Sequence, residues 1–177
     1  EWIKLFGVLF GKEEQAVDYF NDQIARIEPI IEKENTGLKV AFFAVSSDGS
    51  ITVRKPNDYV SSMIGLAGGI YSLNGYLPEE ENALSTMKMQ MEDFYAAEKD
   101  ADILIYNGTI EGELTSVDEL IQKNSLFADF KAVKSGQVYT TGSNFYQQTS
   151  KTCDFIEDLN KVLTNDSDTD YEFLKKL

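Results

Sequence analysis

The chain has 177 residues, enough for one ordinary domain or two small ones, and its 42% apolar and 26% charged residues lie in the globular range. Thirty acidic against sixteen basic residues leave a net charge of −14, which opposes approach to nucleic-acid phosphates or anionic lipid headgroups. Histidine is absent, so His-based triads, zincin motifs and imidazole metal sites are excluded, and a single cysteine, Cys153, excludes internal disulfides, thiolate zinc clusters and CxxC redox chemistry.

Residues 2 to 10 (Trp2, Ile3, Leu5, Phe6, Val8, Leu9, Phe10) are more apolar than one helix face requires and call for a covering neighbour. The start at Glu1, with neither an initiator Met nor a basic-then-apolar signal, reads as a piece of something longer. From Glu13 to about Glu34, Val17, Phe20, Ile24, Ile27 and Ile31 recur at spacings of 3, 4, 3 and 4, which predicts a long amphipathic helix. Pro29 should kink it or end its regular bonding near residue 28, and Asn35-Thr36-Gly37 is a stop. Leu38 to Val45 is a nearly continuous apolar run of the kind a strand covered on both faces needs. Ser47-Asp48-Gly49-Ser50 is a turn into a second short strand, Ile51 to Arg54.

Pro56-Asn57-Asp58 starts a helix whose stripe Val60, Met63, Ile64, Ala67 ends at Gly68-Gly69, where left-handed backbone carries no Cβ penalty. Residues 70 to 88 show turn formers and no period. A helix is expected over 89–99, a buried strand over Ala101 to Tyr106, and a loop at Asn107-Gly108-Thr109. Thr115, with Asp118 three residues on, opens another helix as a weak capping box. Gln137 to Thr141 is a strand, and Thr149 to Leu163 a closing helix carrying Cys153 as a small buried apolar side chain. Strands alternating with helices predict an α/β fold: a small, mainly parallel sheet with helices on both faces, preceded by the long N-terminal amphipathic helix. In such sheets ligands bind beyond the carboxyl ends of strands, which points to the loops at 54–57, 107–109 and 142–147.

Several motifs fail on inspection. Gly7 to Glu13 has three residues between glycines where a P-loop has four, and Glu13 stands where a hydroxyl should hold Mg²⁺. Asp166-Ser167-Asp168-Thr169-Asp170 lacks the EF-hand Gly at its sixth position (Tyr171) and the Glu at its twelfth (Leu177), and reads as a solvated acidic linker. Glu79-Glu80-Glu81 reads as surface, and the two glycosylation sequons, at Asn107 and Asn165, are short enough for chance. No nucleophile-and-base pair can be named, so a binding module is favoured over an enzyme. Arg54, ending a strand, could meet an anionic group through its planar donor fork or pair with a surface carboxylate. Phe145-Tyr146, in a loop after a strand, could present aromatic rings to a ligand or simply pack.

The helix Tyr59 to Ala67 ending in Gly68-Gly69, Met91-Glu92-Asp93-Phe94-Tyr95 leading into Asp100-Ala101-Asp102-Ile103-Leu104-Ile105, and Phe130-Lys131-Ala132-Val133-Lys134-Ser135-Gly136-Gln137-Val138-Tyr139 follow one another in an order that resembles the C-terminal lobe of the class III solute-binding proteins of ABC importers. That group captures iron siderophores, haem and cobalamin. The resemblance implies residues 1–35 as interdomain helix and the end of a missing N-terminal lobe, 36–165 as the C-terminal α/β lobe, and 166–177 as an acidic linker and tail. It also implies an extracytoplasmic location, as a cell-surface lipoprotein or in a periplasm, and a ligand held in a cleft of which this chain supplies one wall.

Arg54, Lys55, Asn107, Phe145 and Tyr146, in those strand-end loops, are the expected lining of that wall, and no catalytic residue, metal ligand or resident cofactor is expected. Glu92 would dock on a basic pocket of the ABC permease, unless it only stabilises a helix N-terminus. An iron chelate, siderophore-like and anionic because of Arg54 and Lys55, is the expected ligand. Haem, held by Tyr146 in the absence of His, or cobalamin is the alternative within the group. A free-standing α/β protein-interaction domain is the alternative outside it.

Overall fold

Six consecutive residues of β1 (Lys39–Val45), Val40 to Val45, are buried, which places this strand at the centre of the sheet with both faces covered. Because neighbouring side chains on a strand point to opposite faces, Phe42 and Phe43 seed two separate layers. Phe43 stacks on Phe127 at 5.4 Å and lies 4.9 Å from Phe94, while Phe42 lies 5.9 Å from Phe145, itself 4.5 Å from Phe155. The computed structural model describes residues 1–76, 84–166 and 170–177. The Glu79-Glu80-Glu81 run and residues 167–169 of the acidic segment lie outside them.

The remaining strands are β2 (Ile51–Arg54), β3 (Ile70–Tyr71), β4 (Thr86–Met89), β5 (Ile103–Tyr106), β6 (Val138–Thr141) and β7 (Leu174–Lys176). Their order is β4-β2-β1-β5-β6-β7, with β3 beside the start of β1. Pairing is parallel among β3, β1, β5 and β6 and antiparallel where β2, β4 and β7 extend the edges. The expected α/β class with a parallel centre is therefore the observed one. Helices α3 (Tyr59–Leu66) and α8 (Thr152–Thr164) cover the Phe42 face; α4 (Met91–Glu98) and the 3-10 turn Ser125–Asp129 cover the Phe43 face. Shorter helices α5 (Gly108–Glu111), α6 (Val117–Lys123) and α7 (Lys131–Lys134) join the strands.

At the N-terminus α1 (Trp2–Phe10) folds back on α2 (Glu13–Ile31) through Gly11 at φ 64. The two helices meet at Gly7, where an added Cβ would sit 2.5 Å from that of Ala16. Pro29 does not end α2, which continues to Ile31, although its ring removes an N–H that would otherwise bond within the helix. Of the predicted stripe only Ile27 is buried, joined by Ala16 and Ile30, while Val17, Ile24 and Ile31 stay exposed. Polar contacts pin α2 to α8 instead: Arg26 binds Glu157 through Nε and Nη2 at 3.0 and 2.7 Å and also pairs with Asp154, and the Tyr19 hydroxyl donates to Ser150 O at 2.5 Å. On α1, Trp2 is 75% exposed and Leu5, Phe6, Val8, Leu9 and Phe10 are exposed with it.

Two local expectations shift. Ser116, not Thr115, caps α6, accepting from Glu119 N at 3.3 Å, and the Glu119 carboxylate returns to Thr115 N and Oγ1 at 2.8 and 2.6 Å. The C-terminal segment is not a solvated tail throughout, because Phe173 and Leu174 are buried and β7 completes the sheet beside β6. Asp158 of α8 holds it there by accepting from the backbone N–H groups of Glu172, Phe173 and Leu174 at 3.3, 2.7 and 3.3 Å.

Candidate functional site

The antiparallel register of β1, β2 and β4 puts Phe42 and Ala44 on one face with Thr52, Arg54 and Thr86. This patch is the floor of a cavity of about 80 Å³, walled by Asn107, Ile110 and Glu111 from the β5–α5 connection and by Tyr146 from the segment after β6. A second recess of about 60 Å³ lies on the other side of Tyr146, between Tyr59, Met63 and Lys151. Each has room for two or three waters, far below the several hundred Å³ of a pocket that encloses a ligand. The surface is a wall with hollows.

Asn107 follows β5 and extends its ladder, donating its backbone N–H to Phe43 O at 2.7 Å. Its Oδ1 accepts from Thr109 N and Oγ1 at 3.3 and 2.6 Å, capping α5, which frees Nδ2 to donate to the Tyr146 hydroxyl at 2.8 Å. Asn107 is thereby locked, at 6% exposure. Tyr146, accepting that bond, keeps its own proton to donate. Burial pushes the Tyr146 phenol up, with the Arg54 charge and the Asn107 bond opposing, and pushes Tyr59 up to about 12, so both hydroxyls are neutral donors at physiological pH.

Arg54 is 8% exposed and packed into the wall. Nε donates to Asp58 Oδ1 at 2.8 Å, and that same oxygen caps α3 by accepting from Val60 N at 3.0 Å. The guanidinium carbon lies 4.8 Å from the Tyr59 ring centre and 5.4 Å from that of Tyr146, and Nη1 reaches Ser85 Oγ at 3.5 Å. Planarity and weak hydration suit a guanidinium to such a slot between rings. Below it, the Tyr71 hydroxyl donates to Arg54 O at 2.6 Å.

Three of the expected site residues, Arg54, Asn107 and Tyr146, thus converge. Asn107 and Tyr146 obey the carboxyl-end rule because β5 and β6 are parallel. Arg54 arrives differently: β2 runs antiparallel, and its side chain enters from the sheet face. Phe145 is core, 7% exposed and packed on Phe42, Phe155 and Phe173. Lys55, partly exposed, does not line the cavity of about 80 Å³. Glu92 is exposed in the first turn of α4, on the layer opposite the wall. Thr52, Asp58, Thr86 and Glu111 went unrecognised. Strand alternation from Arg54 pointed to Thr52, and the four-residue step to Asp58 was visible in the sequence, but nothing marked Thr86 in a stretch without period.

Among the described residues no group of three or more Cys, Asp or Glu side chains is placed to hold a metal ion, and no helix is long and apolar enough to cross a membrane.

An uncharacterized lipoprotein of Methanocaldococcus jannaschii is 27% identical over 166 residues, which are 92% of this chain but 38% of that protein. Two solved structures share the fold. The ABC-type Fe3+-hydroxamate transport system of Saccharomonospora viridis matches at 15% identity and TM-score 0.73, over 91% of this chain and 53% of its own. The periplasmic heme binding protein of Vibrio cholerae matches at 13% identity and TM-score 0.70, over 92% and 60%. The chain therefore spans roughly two-fifths to three-fifths of the length of these relatives. The sequence profile of the periplasmic binding proteins matches residues 1–145, most of the chain, and to that family the chain belongs.

Proposed function

We propose that the chain is one ligand-binding lobe of an extracytoplasmic solute-binding protein, which captures an iron complex and hands it to an ABC permease. The observation that carries this reading is the convergence of Asn107 and Tyr146, from the carboxyl ends of β5 and β6, on the open face of β1, β2 and β4. One wall with neutral donors, ring faces and small hollows can orient a ligand but cannot enclose it. A second lobe is required, and the exposed apolar side of α1 would pack towards it. Support for iron comes from the fold neighbours, an Fe3+-hydroxamate transport system and a heme binding protein; support for an extracytoplasmic place comes from the family and the lipoprotein relative. Glu92, exposed at the start of α4, is the proposed permease contact. The role is binding, not catalysis.

Haem is the second reading, carried by Tyr146 as the candidate iron ligand. Against it stands the Tyr146 hydroxyl's existing bond, accepted from Asn107 Nδ2 at 2.8 Å.

The test is titration of the intact polypeptide containing this chain with ferric siderophores and with haemin, followed by protein fluorescence and thermal unfolding. Saturable quenching is expected with at least one iron complex, with unfolding shifted as about 2.7 kcal/mol of stabilisation at a hundredfold excess over Kd. Unchanged fluorescence and Tm across the panel would refute the proposal.

A further inference from the structure

The wall is short of available positive charge. Its guanidinium, Arg54, is committed to Asp58 at 2.8 Å and held between the rings of Tyr59 and Tyr146. An anionic ligand that recruited Arg54 would leave Asp58, also nearly buried, as an uncompensated charge. Lys151, beside the neighbouring recess, is paired with Glu172. The other polar groups lining the main cavity (Ser46, Thr52, Thr86, Asn107) are uncharged, apart from Glu111. The Glu111 carboxylate is in an exposed residue at the rim and has no ion pair among the described residues. With Arg54 and Asp58 cancelling, the formal charge of the described residues lining this cavity is that of Glu111.

Resting on the proposed binding role, we infer that the complex seated on this lobe is neutral or cationic, with Glu111 the residue that favours positive charge. The sequence-based expectation of an anionic chelate rested on Arg54 and Lys55; Arg54 is paired with Asp58, and Lys55 does not line the cavity. The chain's net charge of −14 acts in the same direction at longer range, repelling anions before contact.

Three ferric probes of one size class separate the possibilities in the intact protein: a neutral trihydroxamate, a trihydroxamate with a pendant ammonium, and a trianionic tris-catecholate. The neutral and cationic complexes are expected to bind at least about tenfold more tightly than the trianion. Glu111→Gln should lower the ratio of cationic to neutral affinity by roughly threefold, the effect of one partly solvated charge at several ångströms. Equal or tighter binding of the trianion, or an unchanged ratio in a Glu111→Gln protein with wild-type Tm, would overturn the inference while leaving iron capture standing. Failure of all three probes to bind would overturn iron capture and the inference with it.

Discussion

Glu98, the last residue of α4, is 0% exposed, and neither carboxylate oxygen has a hydrogen-bond partner. The nearby Ser72 hydroxyl is committed to Val40 O at 3.0 Å. Burial raises the carboxyl to about 7 from an ordinary 4.5, with Ser72 and the Lys39 charge opposing only in part. The folded state therefore holds this proton more tightly than the unfolded chain does. Its stabilising contribution is complete below about pH 4.5 and is lost as pH rises through about 7. A difference of 2.5 units, 7 less 4.5, corresponds to about 3 kcal/mol. Glu98→Gln keeps the shape and removes the titration. Urea unfolding of both proteins at steps between about pH 4 and about pH 8 should show the variant gaining about 3 kcal/mol on the wild type across that range, or Tm differences of roughly 10 °C. Parallel pH profiles would refute the reasoning, since every other titrating group is common to both proteins.

The Arg54–Asp58 pair should show strong coupling: either single substitution by Ala strands a nearly buried charge and costs about 3–5 kcal/mol, whereas Arg54→Met with Asp58→Asn costs much less than the sum, read from urea unfolding. Asp158→Ala leaves three N–H groups of the β7 segment without their acceptor and should cost about 2–3 kcal/mol, with faster amide hydrogen exchange at Phe173 and Leu174 as the local readout. Asn107→Ala removes the α5 cap and the donor to Tyr146, a loss of about 1–2 kcal/mol in stability together with weaker ligand binding by the intact protein.

The central strands were legible because burial on both faces demands unbroken apolar runs, and Val40–Val45 and Ile103–Tyr106 have them. Strand β4 was not, since Thr86 to Met89 on the sheet edge needs only one buried residue, Met89. Strand β7 was hidden by the acidic residues before it, although Phe173 and Leu174 carry the apolar signal. At the site, Asn107 and Tyr146 could be placed by the rule for parallel strands. The Arg54 pairing was legible only as that four-residue step, because its geometry depends on Asn57 taking a φ of 65 and on Asp58 turning back as a helix cap. Sequence left Phe145 open between facing a ligand and packing, because its partners Phe42, Phe155 and Phe173 come from three distant segments.

On the proposed reading, this surface is one side of a closing cleft. Crystallography of the intact protein with a ferric trihydroxamate bound tests that most directly. The expected result is iron complex in contact with Tyr146 and Ile110 and facing Glu111, with the other lobe closing over it. A complex seated elsewhere, or this wall sealed against the rest of the protein with no space for a ligand, would contradict it.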